Sequence, residues 1–454
     1  MNIDVLVAEI GSTTTVVNAF HQIHSGEPVF LGQGQAATTV LEGDVRIGLE
    51  NSIRDLQEKL AVDRLTYQEM FATSSAAGGL KMTVHGLVFD MTARAAKEAA
   101  LGAGAIMHMV TAGKLRRTDL KKIQEINPNI LLVAGGVDYG ERDTALDNAE
   151  KIASLGLSIP VIYAGNIENH EEIRLIFEGS SQELYIVENV FPKIDELNVE
   201  PAREAIQDAF EKHIIHAPGM EHVYDVITET ITPTPAAVMH LSRLLYDKIG
   251  DVLIIDVGGA TTDVHSVTEG KEAIAKIQVA PEPLAKRTVE GDLGVFVNME
   301  RVIELVGQDT LEKEGYNVEK MRAEYYAIPK NEEERAFVER LTEIAVSTAV
   351  ARHAGNIRYV YGPSGRGTLA QGKDLSNIRL VIGTGGALTR LERGPEILQS
   401  IAKKDEHQTR LLPTGPLKIL IDQDYIMSSL GVLAHKYEDA ALKLLEHSLG
   451  CSLT

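Results

Sequence analysis

The chain of 454 residues contains one cysteine and no tryptophan, and it has no long uninterrupted apolar run. A single thiol, Cys451, excludes a disulfide within the chain, which suits the cytosol. The histidines show no Cys/His spacing typical of a metal site. A membrane helix needs roughly 20 apolar residues, so no membrane contact is expected. The N-terminus leads directly into an apolar strand pattern without a signal peptide, so we expect a cytoplasmic protein.

Positive charge is also scarce, since 44 lysines and arginines stand against 65 aspartates and glutamates. The formal net charge of −21 argues against a large nucleic-acid surface, because such surfaces neutralise phosphates with lysine and arginine. The apolar and charged fractions are ordinary for a soluble globular protein. The length is sufficient for two or three domains.

Three glycine-rich stretches stand out, each at the end of a predicted strand. The first follows apolar residues near the N-terminus and contains Glu9, Gly11, Ser12, Thr13 and Thr14. The second follows residues 253–255 and contains Asp256, Gly258, Gly259, Ala260, Thr261, Thr262 and Asp263. The third follows residues 380–382 and contains Gly383, Thr384, Gly385 and Gly386.

The residue types in these stretches suit a magnesium-bound phosphate. Glycines let phosphate oxygens approach backbone N–H groups, hydroxyls add donors, and a carboxylate at a strand end can hold Mg²⁺ through water. A β-hairpin with a Gly-Gly turn would use the same glycines, so one stretch alone leaves both interpretations open. The same order of acid, glycine and hydroxyls occurs twice, which indicates a duplicated core.

The remaining pattern alternates strands and helices. Strands 3–10 and 15–21 are predicted to pair, and third strands are predicted at residues 29–35 and 272–280. From about residue 90, an alanine-rich helix at 92–105 precedes three apolar runs separated by helices, which predicts a small parallel sheet. We therefore expect a first half at 1–89, an inserted α/β domain at 90–220 and a second half at 221–454.

The three stretches resemble the actin, Hsp70 and sugar-kinase superfamily. Within it, residues 8–14, 74–80, 287–294 and 383–387 together are similar to the GlmL/MutL accessory proteins of adenosylcobalamin-dependent glutamate mutase, over nearly the whole chain. The resemblance implies an α/β, actin-like (ribonuclease H-like) duplicated ATPase core that binds ATP with Mg²⁺. It implies catalytic roles for Glu9, Asp256 and Asp263, metal binding by Asp256 and Glu9, and nucleotide contacts by Glu290, Asp292 and the three glycine-rich stretches.

The family is thought to act like the reactivating factors of diol dehydratase, which use ATP to release damaged cobalamin from a mutase-type enzyme. The resemblance thus implies the subunits of an adenosylcobalamin-dependent mutase as partners, and we expect residues 90–220 to contact them. The superfamily usually has aspartate where this chain has Glu9, so Asp256 is expected to dominate Mg²⁺ binding and Glu9 to position water. A small-molecule kinase with Asp138 as base, and a scaffold that binds nucleotide without hydrolysis, stay open as alternatives.

Overall fold

The computed structural model describes residues 1–11, 14–39, 43–74, 80–103, 105–213, 225–229, 231–324, 329–362, 365–402 and 409–453. The chain forms two compact units, Met1–His240 with Ser428–Leu444 and Leu241–Met427 with Leu445–Thr454. Within the described ranges, no helix has both the length and the apolar character needed to cross a membrane.

The first unit contains two sheets and their flanking helices. Its strands are β1 (Asn2–Ile10), β2 (Thr14–His21), β3 (Val29–Ala37), β4 (Thr66–Ser74), β5 (Leu80–Gly86), β6 (Ala105–Ala112), β7 (Ile130–Val133), β8 (Val161–Tyr163), β9 (Leu184–Ile186) and β10 (Ile231–Pro233). Its helices are α1 (Val45–Lys59), α2 (Arg94–Gly102), α3 (Arg117–Ile126), α4 (Asp143–Ala153), α5 (His170–Phe177) and α6 (Glu200–His213), and α7 (Thr234–Ile249) begins in it.

The second unit contains one five-stranded sheet and a separate hairpin. Its strands are β11 (Val252–Val257), β12 (Thr262–Val267), β13 (Ala285–Glu290), β14 (Asn356–Gly362), β15 (Gly365–Gln371), β16 (Leu380–Thr384) and β17 (Lys418–Ile421). Its helices are α8 (Glu272–Ala275), α9 (Met299–Val306), α10 (Gln308–Lys313), α11 (Val318–Glu324), α12 (Glu332–His353), α13 (Gly386–Thr389) and α14 (Gly394–Gln399). The last helix, α15 (Met427–Leu449), contributes residues to both units.

One sheet topology occurs twice. The first sheet has the order β3-β2-β1-β4-β10 and the second has β13-β12-β11-β16-β17. In each, the first three strands form an antiparallel meander and the next two pair in parallel. The predicted duplicated α/β core is therefore confirmed by strand order, and both predicted hairpins are present.

The third sheet, β6-β5-β7-β8-β9, is entirely parallel. Numbered along the chain its order is 2-1-3-4-5, the doubly wound arrangement that places helices on both faces. One face belongs to the same apolar core as the first sheet, since Ile130 and Leu132 cluster with Ile3 and Leu6. The other face, with Leu131 and Val133, packs in a separate core with residues of α3, α4 and α5.

One predicted strand was wrong, and one predicted helix is shorter than expected. Residues 272–280 are not the third strand of the second meander, because Glu272–Ala275 form α8 and the third strand is β13, which begins at Ala285. The predicted helix 92–105 ends at Gly102, where a Cβ would lie 2.1 Å from Nε of Arg203.

Strand pairing also shows that the inserted sheet begins before residue 90, where it was predicted to start. The unpredicted strand β5 precedes residue 90 and pairs with both β6 and β7. The division into 1–89, 90–220 and 221–454 stays a prediction, but part of the core of 90–220 is shared with the first sheet.

Candidate nucleotide site

The first hairpin places Glu9 near the end of β1, between Val16 of β2 and Thr73 of β4. The Oγ of Ser428 donates a hydrogen bond of 2.7 Å to Oε2 of Glu9. Sequence analysis missed Ser428, because a contact across 419 residues leaves no local pattern. This hydroxyl fixes the orientation of the Glu9 carboxylate.

The turn after Glu9 requires glycine. The N–H of Gly11 donates to the carbonyl of Thr14 at 3.0 Å, and a Cβ on Gly11 would lie 2.6 Å from that oxygen. Ser12 and Thr13 lie outside the described residues, as do residues 75–79 of the stretch 74–80 that contributes to the family resemblance. The described part of the first stretch thus has the predicted hairpin shape.

The second hairpin brings two predicted acids together. Asp256 and Asp263 are direct partners in the antiparallel register of β11 and β12, so their side chains share one face. Asp263 is buried, and its Oδ2 accepts a hydrogen bond of 3.1 Å from Nη2 of Arg287 on β13. Its Oδ1 is also buried and has no hydrogen-bond partner among the described residues. A buried acceptor oxygen without a hydrogen-bond partner among the described residues thus lies beside Asp256.

Residues 295–298 hold the turn between these strands through its carbonyl groups. The carbonyl oxygens of Gly258 and Gly259 accept from the backbone N–H groups of residues 295 and 296 at 3.2 and 2.9 Å. The carbonyl of Ala260 accepts from Nδ2 of Asn298 at 2.7 Å. A Cβ on Gly294 would lie 2.2 Å from the carbonyl carbon of Ala260, so this close packing depends on glycine.

The carbonyls of this turn have hydrogen-bond partners, but most of its backbone N–H groups do not have one among the described residues. Those of Gly259, Ala260 and Thr261 donate to no other described residue. Successive N–H groups in a turn form a concave site for anions, and phosphate is the anion this donor set suits. A Cβ on Gly258 would meet only the carbonyl of Thr261, at 3.5 Å, so the fold itself does not require glycine there.

Thr262 differs from the rest of the stretch. It is fully buried, and its Oγ1 donates to the carbonyl of Leu293 at 2.8 Å. This hydroxyl is engaged within the protein, whereas Thr261 is partly exposed.

Glu290 and Asp292 share one cation. Nη1 of Arg352 lies 2.6 Å from Oε2 of Glu290 and 2.8 Å from Oδ1 of Asp292. The hydrogen bond from Arg352 lowers the pKa of Asp292, whereas burial raises the pKa of Glu290. The two predicted nucleotide contacts are therefore brought together by an arginine that sequence analysis did not select.

The third glycine-rich turn packs against the second hairpin. Gly385 has a φ of +83°, and its Cβ would lie 2.3 Å from Oδ1 of Asp256. A Cβ on Gly383 would lie 2.7 Å from a methyl of Leu398, whereas one on Gly386 would meet nothing within 4 Å. Gly383 and Gly385 thus serve packing and backbone conformation, and open space is found at Gly386.

Asp422 fixes the strand that leads into this turn. It is fully buried, and it accepts hydrogen bonds from Oγ1 of Thr384 at 2.9 Å and Oγ of Ser448 at 2.6 Å. The backbone N–H groups of Ile426 and Met427 donate to it at 3.0 and 2.9 Å. Burial raises the pKa of Asp422. An acid directly after an apolar strand was the available sequence signal, and it was not used.

Magnesium chemistry fits this arrangement. Among the described residues no three His, Cys, Asp or Glu side chains are grouped as a ready metal site. Mg²⁺ does not need such a group, because it binds one or two carboxylates together with waters and phosphate oxygens. Asp256, with Asp263 beside it in the hairpin register, is a carboxylate of the kind that Mg²⁺ would need here.

Asp138, the base of the kinase alternative, has a structural position. Its Oδ1 accepts from the N–H of Ile167 and from Nδ2 of Asn189, both at 3.0 Å. The carboxylate thus joins the loops that follow β7, β8 and β9.

The repeated meander topology, with an acid and a glycine turn after the first strand of each sheet, defines the actin-like α/β class. A family model described as MutL protein matches residues 5–449. Protein MutL of Clostridium tetanomorphum is 38% identical over 460 residues, covering 98% of each chain. The chain therefore belongs to the MutL protein family.

Similarity to solved structures is low. Acetone carboxylase in its nucleotide-free structure has a TM-score of 0.41 and 14% identity, over 95% of this chain and 70% of that one. A glycerol dehydratase reactivase has a TM-score of 0.33 and 11% identity, over 95% of this chain and 99% of that one. The family assignment does not depend on either similarity.

Proposed function

We propose that the chain is an ATP-dependent accessory protein that reactivates an adenosylcobalamin-dependent mutase, with glutamate mutase as the expected client. The turn at residues 258–261 carries the nucleotide part of the proposal, because its carbonyls are engaged by residues 295–298 while three N–H groups are available. Membership of the MutL protein family supports the client part.

In this proposal some of the predicted residues have roles that their contacts allow. N–H groups of Gly259, Ala260 and Thr261 would donate to phosphate oxygens, and Asp256 and Asp263 would hold Mg²⁺ through water. The bound ion would neutralise phosphate charge. Arg287 keeps Asp263 in one orientation.

Hydrolysis needs little more than positioning and charge stabilisation. Glu9, oriented by Ser428, accepts a hydrogen bond from the attacking water. Glu290 and Asp292 contact the nucleotide, and the open space at Gly386 admits adenosine.

Calorimetry of Mg-ATP binding tests the nucleotide part. Asp256→Asn and Gly258→Ala should each weaken binding by about tenfold or more, equivalent to about 1.4 kcal/mol. Asparagine keeps the shape but loses the charge, and the added methyl at residue 258 meets protein atoms only at 3.5 Å. Asp309→Asn, which removes the charge of an exposed aspartate on α10 outside the candidate site, is the matched control. Unchanged affinity in both test variants would place the nucleotide elsewhere.

The client part is tested with purified adenosylcobalamin-dependent glutamate mutase. ATP and ADP should give different affinities for the mutase, and the mutase should change the nucleotide affinity by the same factor. ATP turnover that requires a small acceptor would instead identify a kinase. Nucleotide binding without turnover, with or without the mutase, would identify a scaffold.

A further inference from the structure

The carboxyl ends of the strands in the inserted sheet carry exposed apolar side chains. We define this carboxyl edge as residues 88–90, 137–143, 166–168 and 188–196, which follow β5, β7, β8 and β9. The side chains of Phe89, Tyr139 and Ile194 are 60%, 79% and 71% exposed. Ile167 is exposed as well. Parallel strands end at one edge of their sheet, so these loops lie side by side.

The backbone at this edge is unusual in three places. Phe89 opens a π-helical turn, Phe89–Ala93, a form that occurs often at functional sites. Tyr139 has a φ of +61° and Asp195, next to Ile194, a φ of +64°. A positive φ is strained for a bulky residue, and such strain persists only where surrounding contacts enforce it.

Buried polar side chains supply those contacts. Oδ1 of Asn166 accepts from the N–H of Tyr139 at 3.1 Å. Nδ2 of Asn189 donates to the carbonyl of Gly136 at 2.9 Å and to Asp138, whose N–H donates to the carbonyl of Pro192 at 2.9 Å. Both asparagines are buried. The loops after β7, β8 and β9 are therefore held together from within while their apolar side chains face outwards.

The loops after β5, β7, β8 and β9 are acidic. They have seven exposed carboxylates and two exposed cations, a net of five negative charges, at Asp90, Glu141, Asp143, Glu168, Glu188, Asp195 and Glu196 against Arg142 and Lys193. The loop after β6, next to β5 at one end of the sheet, lies outside the defined surface and carries exposed Lys114, Arg116 and Arg117. Arg142 lies 3.8 Å from Glu168 and Lys193 lies 3.3 Å from Glu196, so both cations have acidic partners on this edge. A protein that covers the edge must bring positive charge to it.

We propose that the carboxyl edge is the docking surface for the client mutase, and that it takes a mutase surface with an apolar pocket rimmed by lysine and arginine. This inference rests on the proposed function and specifies which part of the chain makes the contact. Tyr139 is the central anchor, because a rigidly held, exposed tyrosine is a typical hot-spot residue of protein interfaces. The acidic rim selects a basic partner surface and raises the association rate.

Surface plasmon resonance with purified glutamate mutase, both subunits present, tests this surface. Tyr139→Asn combined with Ile194→Ser should weaken binding at least about tenfold. Asparagine tolerates a positive φ, so the loop keeps its conformation. Leu175→Ser on α5 is the control, because it removes a similarly exposed apolar side chain outside the carboxyl edge, and it should bind like the wild type. Higher salt should slow association of the wild type. Mg-ATP affinity should be the same in all these proteins.

The possible results distinguish an error in the docking surface from an error in the proposed function. Wild-type binding of the mutase with unchanged affinity in the double variant would overturn the docking surface and leave the proposed function standing. No binding by the wild type with ATP, ADP or no nucleotide would overturn both. Sedimentation showing that the wild type self-associates and the double variant does not would assign the surface to a second copy of this chain, against the inference.

Discussion

Replacing Asp422 by alanine should destabilise the second unit more than almost any other single change at the candidate site. The carboxylate accepts hydrogen bonds from two hydroxyls and two backbone N–H groups, at distances of 2.6 to 3.0 Å. Alanine would leave these donors without their acceptor in a fully buried position.

The expected cost follows from these contacts. A hydrogen bond to a charged group contributes about 1.5–3 kcal/mol, and four that share one carboxylate are not additive. We therefore expect a loss of about 3–5 kcal/mol in the free energy of unfolding, at the upper end of single substitutions. Asp422→Asn keeps one oxygen and turns an N–H₂ group toward donors, so a loss of about 2–3 kcal/mol is expected.

Urea unfolding followed by circular dichroism measures both variants against the wild type. Asp424→Ala, two residues further along and only partly buried, is the control and should change stability by less than about 0.5 kcal/mol. A loss below about 1 kcal/mol for Asp422→Ala would show that the carboxylate does not hold β16 to α15 as the contacts indicate.

Three further predictions concern other positions. Gly385→Val should lower the urea midpoint of the second unit, because a side chain there overlaps Asp256 and is strained at a φ of +83°. Gly386→Ala should unfold like the wild type, because a Cβ there meets nothing within 4 Å. Burial lowers the pKa of His85 to about 4, so the folded protein holds this ring neutral where the unfolded chain would protonate it. On the order of 3 kcal/mol of the free energy of unfolding, fully present above pH ~6.5, should therefore be lost as pH falls toward about 4. His85→Gln should flatten that pH dependence of the urea midpoint, and an unchanged slope would contradict the assignment. Arg352→Gln should raise the pKa of Asp292 toward its ordinary range in a carboxyl NMR titration.

The sequence predicted both hairpins through their glycine turns and apolar first strands, but it did not reveal strands with buried polar residues. In β5, His85 is fully buried because Thr83 and Thr111 bond its two ring nitrogens, at 3.0 and 2.8 Å. In β13, Lys286 and Arg287 are buried beside acidic partners. Such strands lack an apolar pattern, because partners elsewhere in the fold satisfy their polar groups.

The same limit of prediction from sequence applies to the candidate site. Glycines and acids marked the turn at 258–261, but the contacts that engage its carbonyls come from residues 295–298. Arg352 and Ser428 lie 60 and 419 residues from the acids they contact. Residue type therefore marked the turn and its acids, whereas the contacts that support them depend on tertiary structure.

The bonds between α15 and the first meander have a consequence for synthesis of the protein. Asn18 on β2 bonds Ser429 across 411 residues, and Glu9 bonds Ser428 across 419. At about 5–20 residues per second, a ribosome needs roughly 20–80 s to add that length of chain. During this time the N-terminal hairpin exists without the helix that orients its glutamate. Glu9, the predicted catalytic acid of the first unit, therefore acquires its final orientation only after nearly the whole chain has been made.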